Sequence, residues 1–154
     1  MIAIDTNVLL RYVLRDDEKQ AQIAYKIIHG QQVVLILDMV LVEMAWTLRG
    51  SRFDLSREEI ADTVLALLDD TNLVFENKDA VWQAAVDYRN AERVKVGKKW
   101  KIADFPDALM ANKARGVAEE MDERFNGAYT FDKAAQALPD AKAAEKFKAL
   151  KVIR

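Results

Sequence analysis

The chain has 154 residues, with 23 Lys and Arg against 25 Asp and Glu, a net charge of −2, no Cys and one His. This rules out a disulfide framework, a thiolate nucleophile and a zinc–thiolate site, and all but excludes a His-rich metal site or a Ser-His-Asp triad. At 51% hydrophobic and 31% charged, the composition fits one globular domain over residues 1–154, and near-neutral charge argues against simple coating of nucleic acid.

The opening, MIAIDTNVLLRYVLRDD, meets charge at Asp5 and Arg11, so it reads as neither a leader nor a membrane span. A soluble, cytoplasmic protein without membrane contact is expected. MIAID at 1–5 is a short apolar run ending in an acid, a buried strand followed by a turn and a short helix. Ala21, Ala24, Tyr25, Ile27 and Ile28 predict an amphipathic helix over 17–29 that ends near Gly30. The β-branched run at 33–36 predicts a second strand, and Asp38 is placed to cap the helix that runs on toward Gly50. Ser56 and Glu59 have capping-box spacing ahead of Ile60, Val64, Leu67 and Leu68. Residues 73–75 read as a third strand, and Asp79 as the cap of a helix carrying Val81, Trp82, Ala85 and Val86. Residues 94–101 read as a basic loop, and Asp104 as the start of a helix with Pro106 in its first turn. GAYTF at 127–131 is a fourth strand; a helical tail over 140–149 and a fifth strand at 151–153 complete the expectation. Short apolar strands alternating with helices predict a three-layer α/β/α sandwich around a mostly parallel sheet.

A few acids are placed unlike surface acids. Asp5 and Asp132 each follow an apolar strand, the end of an open α/β sheet where ligands bind. Each also suits a turn or a helix cap. Glu43 interrupts Met39-Val40-Leu41-Val42 and Met44-Ala45-Trp46, and a carboxylate buried there needs a cation, a metal or a proton; an Arg partner would serve. Asp104 and Asp107 share a helix face, which suits both the helix dipole and an inward-pointing Asp107. Carboxylates without His or Cys suit a hard cation, Mg²⁺ or Mn²⁺, which bridges phosphate oxygens and lowers the pKa of bound water.

Four motifs now stand in order: Ile4-Asp5-Thr6-Asn7-Val8-Leu9-Leu10, Val42-Glu43-Met44-Ala45-Trp46-Thr47-Leu48, Ala103-Asp104-Phe105-Pro106-Asp107-Ala108-Leu109, and Tyr129-Thr130-Phe131-Asp132-Lys133. Together they resemble the PIN-domain ribonucleases of the VapC type, toxins of type II toxin–antitoxin pairs. The resemblance implies a PIN-like fold and a Mg²⁺- or Mn²⁺-dependent endoribonuclease that leaves a 5′-phosphate. It implies Asp5, Glu43 and Asp107 as the core metal-site acids. Asp132 would be a fourth and Asp104 a ligand or a neighbour of one. Thr6, Asn7 and Thr130 match polar positions that hold the carboxylates or a metal-bound water. The resemblance also implies an RNA substrate, a homodimer and a cognate antitoxin. The apolar Met39, Leu41, Met44 and Trp46 fit either such contact or the core.

The stretch before the third motif is longer than the family's usual one and strongly basic. Arg93, Lys95, Lys98, Lys99 and Lys101 with Trp100 suit phosphate contacts and base stacking; the same stretch also reads as a solvated loop with Trp100 folded onto the core. Lys142, Lys146, Lys148, Lys151 and Arg154 read as the wet face of the last helix. Other functions fit less well. An aspartyl-nucleophile phosphatase wants a second acid two residues after the first, where Asn7 stands, and a phosphate-receiver domain wants an acidic cluster that Asp16-Asp17 does not supply. A PIN scaffold that binds RNA or protein without cutting is the alternative function; its signature would be a missing core acid.

Overall fold

In the computed structural model, which describes residues 1–148, the central sheet is parallel and ordered β1-β2-β3. Its strands are β1 (Ile2–Ala3), β2 (Val34–Ile36) and β3 (Leu73–Phe75), with Ile2 opposite Val34 and Val34 opposite Leu73. Parallel neighbours need crossovers, and helices supply them. They are α1 (Thr6–Leu14) and α2 (Glu18–Ile28) in the first, and α3 (Asp38–Arg49) and α4 (Arg57–Asp69) in the second. Beyond β3 come α5 (Lys78–Asn90), β4 (Val94–Val96), β5 (Lys99–Lys101) and α6 (Phe105–Glu120). Parallel strands β6 (Ala128–Thr130) and β7 (Ala141–Ala143) follow. The result is the expected PIN-like α/β/α architecture.

The core explains how the functional elements are held. Leu9 of α1, Val34 and Ile36 of β2, Leu41, Met44 and Leu48 of α3, and Phe105 of α6 are fully buried in one cluster. On α3 the buried positions Val40, Leu41, Met44, Ala45 and Leu48 form one helical stripe. Met39, Glu43 and Trp46 lie on the opposite, exposed face. Each helix buries a stripe this way, so its start and rotation relative to the sheet are fixed by side chains remote from the site.

Several local expectations are corrected. Leu37, not Asp38, is the cap residue of α3, and Asp38 is its first helical residue. Asn77, not Asp79, caps α5, its Oδ1 accepting from the Ala80 N–H at 2.9 Å. The basic stretch is an antiparallel hairpin, β4 with β5, turning at Gly97, whose φ of +62° suits a residue without a Cβ. The helical tail is not formed: residues 141–143 pair with β6 and a 3-10 turn at Ala144–Lys146 follows. Alanine-rich sequence favours helix, but an open edge of β6 offers a full set of backbone bonds, and the pairing prevails over propensity. Lys142 and Lys146 are therefore not on a helix face. The expected strand at 151–153, with Lys151 and Arg154, lies outside the described residues. No helix among the described residues is long and apolar enough to cross a membrane.

Candidate metal centre

Four of the five candidate acids occupy places where backbone N–H groups are left over. Asp5 ends the β1 connection and caps α1, one carboxylate oxygen accepting from the Val8 N–H at 2.9 Å. Asp132 follows β6, and its Oδ1 accepts from the N–H groups of Ala134 at 2.7 Å and Ala135 at 3.2 Å. Asp104 and Asp107 form a reciprocal capping box at the start of α6, with the Asp104 N–H donating to Asp107 Oδ2 at 3.0 Å. Free N–H groups at a helix start attract anionic side chains, which is why the acids sit there and why their geometry is fixed.

Glu43 differs. It lies on the exposed face of α3, which corrects the expectation of a buried carboxylate. The run around it is apolar in sequence, but the helix turns Glu43 outward together with Met39 and Trp46, which are 62% and 54% exposed. Its Oε2 accepts from the Thr6 hydroxyl at 2.5 Å, a bond that ties the α1 start to α3. The Arg partner that would have served Glu43 as the alternative to a metal or a proton is absent: among the described residues, neither Glu43 nor Asp5, Asp107 or Asp132 forms an ion pair.

The two remaining polar neighbours divide. Thr130 Oγ1 accepts from the Asp132 N–H at 3.0 Å and so holds the turn that presents Asp132. Asn7 is exposed and lines a shallow cleft with Asp5 and Arg11.

A difference among the acids emerges from the bonds. Asp5, Glu43, Asp107 and Asp132 each spend one oxygen on a protein donor and leave the other without one among the described residues. Asp104 has both engaged: Oδ1 by the Phe105 N–H at 2.9 Å, Oδ2 by Trp46 Nε1 and the Arg49 guanidinium, each at 3.1 Å. Buried Ala103 and Phe105 flank Asp104 and pin it in place.

Electrostatics connect three of them. Burial, the leading cause, holds the Asp107 carboxyl above its ordinary range; the Asp104 N–H pulls it down, and the charges of Asp132 and Asp104 push it up again, against Arg49. Asp132 is thus close enough to Asp107 to be felt. The expected convergence of all the acids is looser than the sequence suggests: among the described residues, no three such side chains are gathered closely enough to hold an ion as they stand. Like charges spread apart, and Asp5, Glu43 and Asp132 are exposed, so rotation about their side-chain bonds meets little packing. The donor set, carboxylate oxygens with one lone-pair face free, fits a hard divalent cation.

Sequence reasoning missed the residues that tie Asp104 down. Trp46 and Arg49 follow Glu43 at three-residue steps on α3, a spacing that signals a shared stripe. It also missed a second acidic group, Asp38 with Glu76 and Lys113, for which no local spacing exists.

The family model described as PIN domain matches residues 2–135. No curated protein and no solved structure matches the chain.

Proposed function

The chain belongs to the PIN-domain family, whose members are in general nucleases, and from that premise we propose that it is a Mg²⁺- or Mn²⁺-dependent endoribonuclease, the toxin of a toxin–antitoxin pair. The observation that carries this is the set of four carboxylates, each oriented through one of its oxygens and each holding the other free of any protein donor among the described residues. A stability role alone would not leave four charges without an ion-pair partner among the described residues.

In this reading Asp5, Glu43, Asp107 and Asp132 hold the cation. A divalent cation held there would supply Lewis-acid activation of water and charge stabilisation for phosphodiester hydrolysis. The chain's own part is placement. Thr6 fixes Glu43, and the N–H groups of residues 134 and 135 fix Asp132. Asp104, with no oxygen to spare, is a positioning residue: it anchors the α6 start and through it Asp107. Asn7, beside Asp5, is available to a water or a substrate oxygen. The reading extends to a homodimer and to a cognate antitoxin that covers the acids.

The spread of the acids favours a second reading, a PIN scaffold that binds RNA or protein without cutting. Incubating a mixed RNA pool with Mg²⁺ or Mn²⁺ decides between them. Cleavage by wild type that is lost in Glu43→Gln supports the nuclease. Equal products from both, or none from folded wild type, leaves the scaffold.

A further inference from the structure

Beside Asp104, a cleft of about 490 Å³ opens between α3, the start of α4, α5 and the β4–β5 hairpin. Its volume lies in the range of small-ligand sites, roughly 300–1,000 Å³. Its walls carry three guanidinium groups, Arg49, Arg57 and Arg93, two aromatic rings, Tyr88 and Trp100, and no acid.

The charges in this cleft are under-compensated. Arg49 is paired with Asp104. Arg57 donates from one terminal nitrogen to the Ala91 carbonyl at 2.6 Å, touches exposed Glu58 only at 3.5 Å, and keeps a buried Nε without an acceptor. Arg93 forms no ion pair among the described residues, and its guanidinium lies 5.8 Å from the centre of the Trp100 ring. An orphaned buried donor is costly, and the exposed, unpaired guanidinium of Arg93 beside it suits an anion with several oxygens. Trp100 is 58% exposed, so the ring is not folded onto the core and offers a face.

The hairpin register explains why these residues, and not all the basic ones, form the wall. Trp100 lies opposite Lys95, so Arg93, Lys95 and Trp100 share one face, whereas Lys99 and Lys101 point to the other. Arg93 and Trp100 line the cleft; Lys95, Lys98, Lys99 and Lys101 do not.

We propose that this cleft is a nucleotide subsite for single-stranded RNA, with one unpaired base stacked on Trp100 and its phosphate held by Arg57 and Arg93. Guanidinium forks match phosphate oxygens in pairs, and base stacking on an exposed aromatic requires a strand whose bases can splay out. Tyr88, whose hydroxyl burial pushes further above its ordinary range, adds a neutral donor. The bonds from Arg49 to Asp104 and from Asp104 to Asp107 place the subsite beside the acids, where it would hold a nucleotide next to the one being cut. The proposal rests on the RNA-directed reading above and adds to it the residues that choose the strand.

The test is equilibrium binding of a fluorescent single-stranded oligoribonucleotide in chelator, so that no cleavage occurs and failure of the nuclease chemistry does not affect the result. Trp100→Ala should weaken binding about tenfold, on the scale of one lost base stack, while Trp100→Phe retains most of it. Arg93→Ala should weaken it similarly and lower the salt slope by about 0.7. Melting temperatures should be unchanged, since both side chains are at the surface. An oligomer abasic throughout should bind wild type and Trp100→Ala alike. Wild-type affinity in both variants would overturn the proposal, as would a Trp100→Ala defect equally large on the abasic strand, or an equal loss on duplex RNA, which cannot splay a base.

Discussion

Two groups of acids stand at the carboxyl ends of the parallel strands, and they are built differently. At the ends of β2 and β3, the Asp38 N–H donates to Glu76 at 2.5 Å and Lys113 of α6 reaches Asp38 at 2.8 Å. Burial pushes the Asp38 carboxyl up, Lys113 pulls it back, and Glu76 adds repulsion. That group carries its own cation. Around the ends of β1 and β6, Asp5 and Asp132 with Glu43 and Asp107 have backbone and hydroxyl donors but no Lys or Arg among the described residues. The difference teaches what separates an acidic group that the fold compensates from one that it leaves uncompensated, as the proposed function requires. Carboxylates at or near strand ends are common to both; what differs is whether the fold itself supplies the positive charge.

The comparison is broken most forcefully at the uncompensated group. Asp5→Asn or Glu43→Gln should lower RNA cleavage on the order of a hundredfold or more at near-native stability, as measured by product formation per folded molecule. At the compensated group the effect should fall on stability instead. Lys113→Ala leaves Asp38 half-buried without its cation and should cost about 1–3 kcal/mol in urea unfolding, with cleavage per folded molecule unchanged.

The pH dependence sharpens the contrast further. The Asp107 carboxyl is raised in the fold, so its contribution to stability is fully present below its unfolded value and is lost as pH rises through the raised folded one. Asp107→Asn has no such loss and keeps the bond from the Asp104 N–H. Urea midpoints from about pH 4 to about pH 7 should therefore show the variant gaining on wild type as pH rises. The smallest effect belongs to Asp104→Asn. Asn is a good cap, and the pair with half-exposed Arg49 contributes little, so stability should fall by less than about 1 kcal/mol. Cleavage should fall less than tenfold, since Asp104 has no free oxygen to give up.

How far the sequence carried depends on the range of the physics involved. The parallel sheet and its helices were legible because strand and helix burial repeat at short period, and Asp104 with Asp107 because a cap is a three-residue device. The hairpin at 94–101 and the strand at 141–143 were not, because each depends on a partner strand and the alternation of Val94-Lys95-Val96 or Ala141-Lys142-Ala143 spans only three residues, too few to signal a strand alone. Glu43 was located but misjudged: a run of large apolar residues hides that Met39 and Trp46 are left outside. Lys113 meets Asp38, and the three arginines of the cleft meet one another, only through packing of α3, α4, α5, α6 and the hairpin, and no spacing in the chain announces them.

The central claim is that the four acids lack a cation that the fold does not supply. A thermal melt of wild type with and without Mn²⁺, alongside Glu43→Gln, measures this directly. At a concentration about a hundredfold above the dissociation constant, linkage adds about 2.7 kcal/mol, or roughly 5–10 °C for a chain of this size. The account predicts a rise of that order in wild type, reversed by chelator and largely absent in Glu43→Gln. Identical melts for wild type with Mn²⁺ at millimolar concentration and with chelator would contradict it.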